Sequence, residues 1–186
     1  MADMLYPRPA PHTLITFEGM TPRVHPSAFI APTAVLIGNV EVGPESNIWF
    51  HCVLRGDVNF VRVGARCNIQ DGTIIHVDHR TFPAIIGDDV TIGHAAIVHA
   101  CTLKNRAFVA MGSTVLDGAV VEEGGMLGAG GLLAAGKTIG PNELWLGAPA
   151  RFKRVLTPED RASFDEIAPH YARLGQRYRA GMRAPE

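Results

Sequence analysis

Cysteine is scarce: Cys52, Cys67 and Cys101 are the whole complement of 3, odd in number and without C-x-x-C spacing. That excludes a disulfide framework and a structural zinc knuckle, and it fits a reducing compartment. Charge of one sign is lacking too, with 17 Lys and Arg against 18 Asp and Glu, a formal net charge of −1 and no basic run. Without a basic face the chain is not expected to bind nucleic acid. No window comes near the roughly 18 uninterrupted apolar residues of a membrane helix. The opening MADMLYPRPAPHTL has no apolar signal-peptide core. A cytoplasmic protein without a membrane partner is expected.

What the chain does have is apolar bulk and glycine. Its 186 residues are 47% hydrophobic, enough for one buried core. Twenty glycines beside only 7% aromatics point to tight, repeated turns rather than a helical bundle. Residues 1 to 20 are a proline-rich lead-in in which TLITFEG is suited to one short strand. From Val24 the pattern is strict. Val24, Ile30, Leu36, Val42, Ile48 and Leu54 recur every six residues, each followed four places later by Ala28, Ala34, Val40, Ser46, Cys52 or Val58. A three-residue slip moves the register to Val63, Ile69 and Ile75, and five extra residues move it to Ile86, Ile92 and Val98. A one-residue deletion then resets it to Leu103, Val109, Val115, Val121, Leu127, Leu133 and Ile139. Neither the helical period of 3.6 nor the strand period of 2 gives this spacing.

So sustained a period signals a solenoid, whose repeats bury their apolar side only by stacking on neighbours. Six residues make one flat side and a corner of a triangular parallel β-helix, and three such sides make a coil. Aliphatic residues point inward and small residues fill the corners. Glycines such as Gly38, Gly43, Gly64, Gly87 and Gly93 are expected to supply turn conformations closed to other residues. Over residues 24 to 150 the chain resembles the hexapeptide-repeat family, and the resemblance implies an all-β, left-handed parallel β-helix. After LWLGAPAR the repeat stops. Thr157 is an N-cap residue, Pro158 suits the first helical position, and Glu159 and Asp160 are first-turn acids. Residues 1–156 thus read as the β-helix with its lead-in, and 157–186 as a C-terminal α-helical segment, kinked at Pro169 and packed on a face of the prism.

The repeat converts spacing into position. His76 follows Ile75, His99 follows Val98, and their separation of 23 is one coil plus the five inserted residues. They should be stacked neighbours. Parallel strands lie roughly 4.8 Å apart, so two imidazoles can reach one metal at about 2.0–2.1 Å. His94 lies on the preceding side, and five extended residues from His99 span roughly 16 Å. One subunit is not expected to bring all three to one ion. A threefold homotrimer can, with His76 and His99 from one subunit and His94 from the next. By the same count Arg55 lies beneath His76, and Asp71, with Gln70 beside it, beneath His94. An Arg55 column facing an Asp71 column would pair charges across the interface.

LRGD at 54–57, NIQDG at 68–72, His76 and IGHAAIVHACT at 92–102 resemble the gamma-class carbonic anhydrase family. The resemblance implies His76, His94 and His99 as ligands, across a trimer interface, of Zn2+ or alternatively Fe2+ or Co2+. It also implies reversible hydration of carbon dioxide to bicarbonate by a metal-bound water whose pKa is lowered towards about 7. Arg55 and Asp57 match the family's R-G-D, which would organise the interface and the bicarbonate end. Asn68 and Gln70 match its N-x-Q, with Gln70 orienting the attacking oxygen, and Asp71 matches the following acid. Val58, Asn59 and the short loop VDHRTFPA depart from the family's acidic positions, so the exported proton needs another carrier. His79, an imidazole with a suitable titration range, and Tyr171 are the candidates. His12, His25, His51 and His170 read as surface or packing residues. The alternatives are a hexapeptide-repeat acyltransferase or acyl-CoA thioesterase, and a catalytically weak metal-binding trimeric scaffold. Three convergent histidines and no long protruding loop weigh against acyl transfer.

Overall fold

The computed structural model describes residues 13–182. The first part of the lead-in, with His12, and the last four residues lie outside the described residues. The six-residue period becomes strands mostly two or three residues long, each ending its side of the triangle before a corner turns the chain. The result is a parallel β-solenoid of about 7 turns, consistent with a left-handed β-helix.

One face stacks Ile74–His76, Ile97–His99, Thr114–Val115 and Leu132–Leu133. A second stacks Ala84–Ile86, Thr102–Leu103, Val120–Val121 and Thr138–Ile139. The long strands Val35–Val42 and Val53–Val63 join these faces into one 12-stranded sheet. The third face is an 8-stranded sheet from Phe29–Ile30 to Glu143–Gly147, closed by Ala150–Val155 running antiparallel. Within TLITFEG, Leu14–Ile15 adds a short parallel strand against Val35–Val42.

The inward positions form the core. From Leu36 through Leu54, Ile75, Val98 and Val121 to Ile139 the period-six aliphatics are buried, each stabilising the fold by about 1.5–3 kcal/mol relative to exposure. The small positions Ala34, Cys52, Cys67, Ala96, Ala107 and Ala119 are buried beside them. Ser46, Thr73 and Ser113 fit there because each hydroxyl donates to a neighbouring carbonyl, of Gly64 at 2.7 Å, Gly93 at 3.0 Å and Gly128 at 2.9 Å. Val58 breaks the series and is exposed, because it falls in the three-residue slip.

The glycines correct the sequence reading. Of the five expected to supply special turns, Gly38 alone has a positive φ, +72°. The other four are needed for space: a Cβ on Gly43 would stand 2.5 Å from the Gly64 carbonyl oxygen, and one on Gly93 would stand 2.6 Å from the Met111 nitrogen. Left-handed corners in the early coils are taken instead by Glu45, Arg66, Asp89, Ala95 and Ala100.

Thr157 caps helix α1 (Pro158–Asp165) through a capping box with Asp160. Helix α2 (Ile167–Gly181) follows. The break falls at Glu166, not at Pro169, because a proline disrupts the turn before it: its ring crowds the carbonyl four residues back and offers it no N–H. Helix α2 lies on the third face against Phe29–Ile30, Asn47–Ile48 and Asn68–Ile69. Its buried Ala168, Ala172 and Gly175 allow close approach. Phe29, Trp49, Tyr171 and Tyr178 fill the flanks with ring centroids 5.1–5.6 Å apart. Among the described residues, no helix is long and apolar enough to cross a membrane.

Candidate metal centre

Both insertions in the repeat emerge at one corner. In the long strand pair Gly38 faces Gly56 and Val40 faces Val61, so residues 57–60 bulge out opposite Asn39. A bulge re-aims side chains, and here it turns Asp57 outward from the coil. The five-residue insertion forms the loop above it. Asn59 Nδ2 donates to the Asp78 carbonyl at 3.2 Å, and the Asp78 carboxylate accepts the N–H groups of Arg80 at 3.0 Å and Thr81 at 2.8 Å. Phe82 lies over Gly118. These contacts hold His79, which lines a cavity of about 530 Å³ with Phe17, Met20, Asn39, Asp57 and Phe60.

His76 and His99 are register partners, as the count of 23 predicts. His76 Nδ1 lies 3.1 Å from His99 Nε2. The outer nitrogen of each ring meets a carboxylate: His76 Nε2 is 3.0 Å from Asp57 Oδ1, and His99 Nδ1 is 2.5 Å from Asp117 Oδ1. Asp57 is also bound by the Arg55 guanidinium and by the Val58 N–H. Burial pushes the Asp57 carboxyl up, but the hydrogen bonds from Arg55 and His76 and the Arg55 charge outweigh it and hold the pKa below the usual carboxylate range. Leu54 pairs with Ile75, so Arg55 lies beneath His76. Among the described residues its ion-pair partner is Asp57.

His94 occupies a different corner, after Thr91–Ile92. It is half-exposed, with Nδ1 3.0 Å from Asp71 Oδ2. Asp71 lies beneath it as expected, its other oxygen accepting the Phe50 N–H at 3.2 Å. Gln70 is buried beside Asp71, and its side-chain amide makes no hydrogen bond among the described residues. Asn68 belongs to the wall under α2, where its Oδ1 accepts the Trp49 indole N–H at 3.0 Å. Tyr171 packs edge-on against Trp49 and His170, and no hydrogen bond or ring contact joins it to His76, His94 or His99. His25, His51 and His170 are exposed.

Asp117 is the site residue that the motifs miss. It stands 18 residues after His99, but Val98 pairs with Val115, so the coil count puts Leu116 over His99 and leaves Asp117 one residue further on, at the corner before Gly118.

The donor set suits a metal. Neutral imidazoles whose outer nitrogens rest on carboxylates are the pattern of zinc ligation, and imidazole serves ferrous iron and cobalt as well. Thiolate ligation is closed off, since burial pushes Cys52, Cys67 and Cys101 up to about 12. Among the described residues of one chain, no three His, Cys, Asp or Glu side chains are grouped to hold an ion. His76 and His99 converge, and His94 stands apart.

Comparison with family profiles gives no match. Individual relatives are plain. The chain is 46% identical over 178 residues to gamma carbonic anhydrase 1, mitochondrial, of Arabidopsis thaliana, covering 93% of this chain and 65% of that protein. It is 44% identical over 164 residues to a carbonic anhydrase of Geobacillus kaustophilus, covering 88% of this chain and 90% of that one. Among solved structures, a hexapeptide transferase family protein from Anaplasma phagocytophilum superposes with a TM-score of 0.86 at 47% identity, over 90% of this chain and 98% of that one. With near-complete coverage of a carbonic anhydrase, and the R-G-D, N-x-Q and histidine motifs on one solenoid, the chain belongs to the gamma carbonic anhydrase family.

Proposed function

We propose that the protein is a metal-dependent carbonic anhydrase, interconverting carbon dioxide and bicarbonate as a cytoplasmic homotrimer with one metal site at each subunit junction. The observation that carries this reading is the 3.1 Å approach of His76 Nδ1 to His99 Nε2, with a carboxylate behind each ring. These two histidines and His94 from an adjacent subunit would hold Zn2+, or Fe2+ or Co2+ in its place. When bound, such a metal supplies a Lewis acid that makes water nucleophilic near neutral pH.

The remaining steps fall to side chains of the chain itself. Gln70, with its amide free, orients the reacting oxygen by hydrogen bond. Asp57, kept ionised by Arg55, takes the His76 Nε2–H and so leaves Nδ1 as a lone pair turned to His99. Arg55 also offers a half-exposed cation to the departing bicarbonate. Asp71 steadies His94. His79, sharing a cavity with Asp57, passes the released proton to solvent. Asn68 and Tyr171 are assigned to the Trp49 contact rather than to chemistry.

Assembly has independent support. Val35, Val53, Ile74 and Ile97 stack in register on the outside of the first face. Ile74 and Ile97 are exposed, and an apolar column of this kind calls for a covering partner. A second copy answers that need and brings His94.

Stopped-flow carbon dioxide hydration on as-purified, chelated and zinc- or iron-reconstituted protein tests the reading. Hydration should track metal content. A fully metallated trimer without hydration would refute it, and acyl-CoA hydrolysis would then be assayed on the same samples.

A further inference from the structure

We propose that Asp117 is a positioning residue for the metal: its carboxylate fixes the His99 ring so that Nε2 remains a lone pair facing His76. This rests on the reading that His76 and His99 hold a metal, and it assigns a role to a residue outside every motif of the site.

A carboxylate at neutral pH accepts hydrogen bonds and donates none, so the ring nitrogen 2.5 Å from Asp117 Oδ1 carries the hydrogen. His99 is therefore the Nδ1–H tautomer, with Nε2 bare. His76 donates Nε2–H to Asp57, which leaves its Nδ1 bare. Two acceptors then face each other at 3.1 Å, an arrangement that repels until a cation takes both lone pairs. The carboxylates outside the pair thereby set what the pair presents inside.

Asp117 matters most because the competing state is so near. Without it, His99 can switch tautomer and donate Nε2–H to His76 Nδ1 across the same gap. That neutral hydrogen bond uses up both nitrogens that would bind the metal. Asp57 divides its acceptor capacity among Arg55, the Val58 N–H and His76. The Asp117 carboxylate serves His99 alone among the described residues. Its backbone is fixed as well. The Asp117 carbonyl accepts the Gly136 N–H at 2.9 Å, and the next residue, Gly118, turns the corner at φ +65° beneath Phe82.

The test compares full-length wild-type, Asp117→Ala and Asp117→Asn proteins by zinc competition against a chromophoric chelator and by 15N-detected NMR of the histidine rings in zinc-free samples. Wild-type His99 should be the Nδ1–H tautomer. Asp117→Ala should bind zinc about 10–100-fold more weakly and should populate the Nε2–H form. Asp117→Asn, whose amide oxygen can still accept, should fall between, and it reads the same two quantities if the alanine variant does not fold. Wild-type zinc affinity in Asp117→Ala, or a His99 tautomer unchanged by it, overturns the proposal while leaving the metal reading intact. Failure of the wild-type protein to take up zinc overturns both.

Discussion

Gly93→Ala loads the stacking of coils directly onto the site. Gly93 does not have a positive φ, so its backbone admits alanine and the cost is steric. The added methyl would stand 2.6 Å from the Met111 nitrogen, 2.9 Å from the Ala110 carbonyl carbon and 3.0 Å from Met111 Cα. All three are backbone atoms of the next coil, so no rotamer change relieves the clash. Reaching ordinary contact near 3.4 Å requires the coils to part by about 0.8 Å. Overpacking of this kind costs about 1–3 kcal/mol. For a chain this long each kcal/mol lowers Tm by about 2–4 °C, so a fall of about 2–12 °C is expected. His94 is the next residue, and a displacement of that size exceeds the tolerance of about 0.5 Å for a preorganised ligand set. Zinc affinity should fall with Tm. Gly112→Ala, at the same corner one coil on, is the control: its Cβ would meet nothing within 4 Å, but its φ is +66°. It should cost about 1–2 kcal/mol from backbone strain alone and leave zinc affinity near wild type. Circular dichroism melts and chelator competition on both variants decide the matter. An unchanged Tm in Gly93→Ala, or equal affinity loss in the two variants, refutes the steric argument.

His94→Ala and His76→Ala should each abolish hydration and metal uptake. If the ligands are shared around a ring, co-refolding the two variants at equal ratio should restore about a quarter of wild-type hydration, one competent junction in each mixed trimer; zero recovery refutes sharing. Ile75→Ala, in the fully buried row beneath His76, should cost about 2–5 kcal/mol in chemical denaturation, and a loss under 1 kcal/mol would contradict the inward assignment. Burial raises Cys52, Cys67 and Cys101 from 9.0 to about 12, so the folded state keeps thiol protons that the unfolded state gives up. That stability is fully present below pH 9 and is lost as pH rises towards 12. The denaturation midpoint should drop over that window, and a thiol reagent at pH 8 should react only on unfolding; fast labelling of native protein would contradict it.

Much of the fold was legible because a solenoid makes sequence distance proportional to height. Counting by coil put Ile75 and Val98 in the core, His76 under His99, and Asp71 under His94. Counting does not say which way a side chain leaves an irregular segment. The contact of Asp57 with His76 depends on the bulge at residues 57–60, and the period is silent there. It also cannot tell a glycine needed for its backbone angle from one needed for room, which is why Gly43, Gly64, Gly87 and Gly93 were misread. Asp117 is beyond the arithmetic too: the shortened coil puts Leu116 over His99, and Asp117 reaches the ring from the corner one residue further on. The break at Glu166 reflects a local rule, that proline disturbs the turn preceding it.

The reversal at Ala150–Val155 settles a question that every stacked repeat faces. A regular parallel coil is a template for its own continuation, and an uncovered final coil would seed filaments. Here the last strand of the third face, Glu143–Gly147, is met by a strand of opposite direction, and that strand carries the exposed Arg151, Lys153 and Arg154. Direction and charge both stop further addition. On this face the stack is closed to a further parallel strand, and association is steered sideways, where the histidines are.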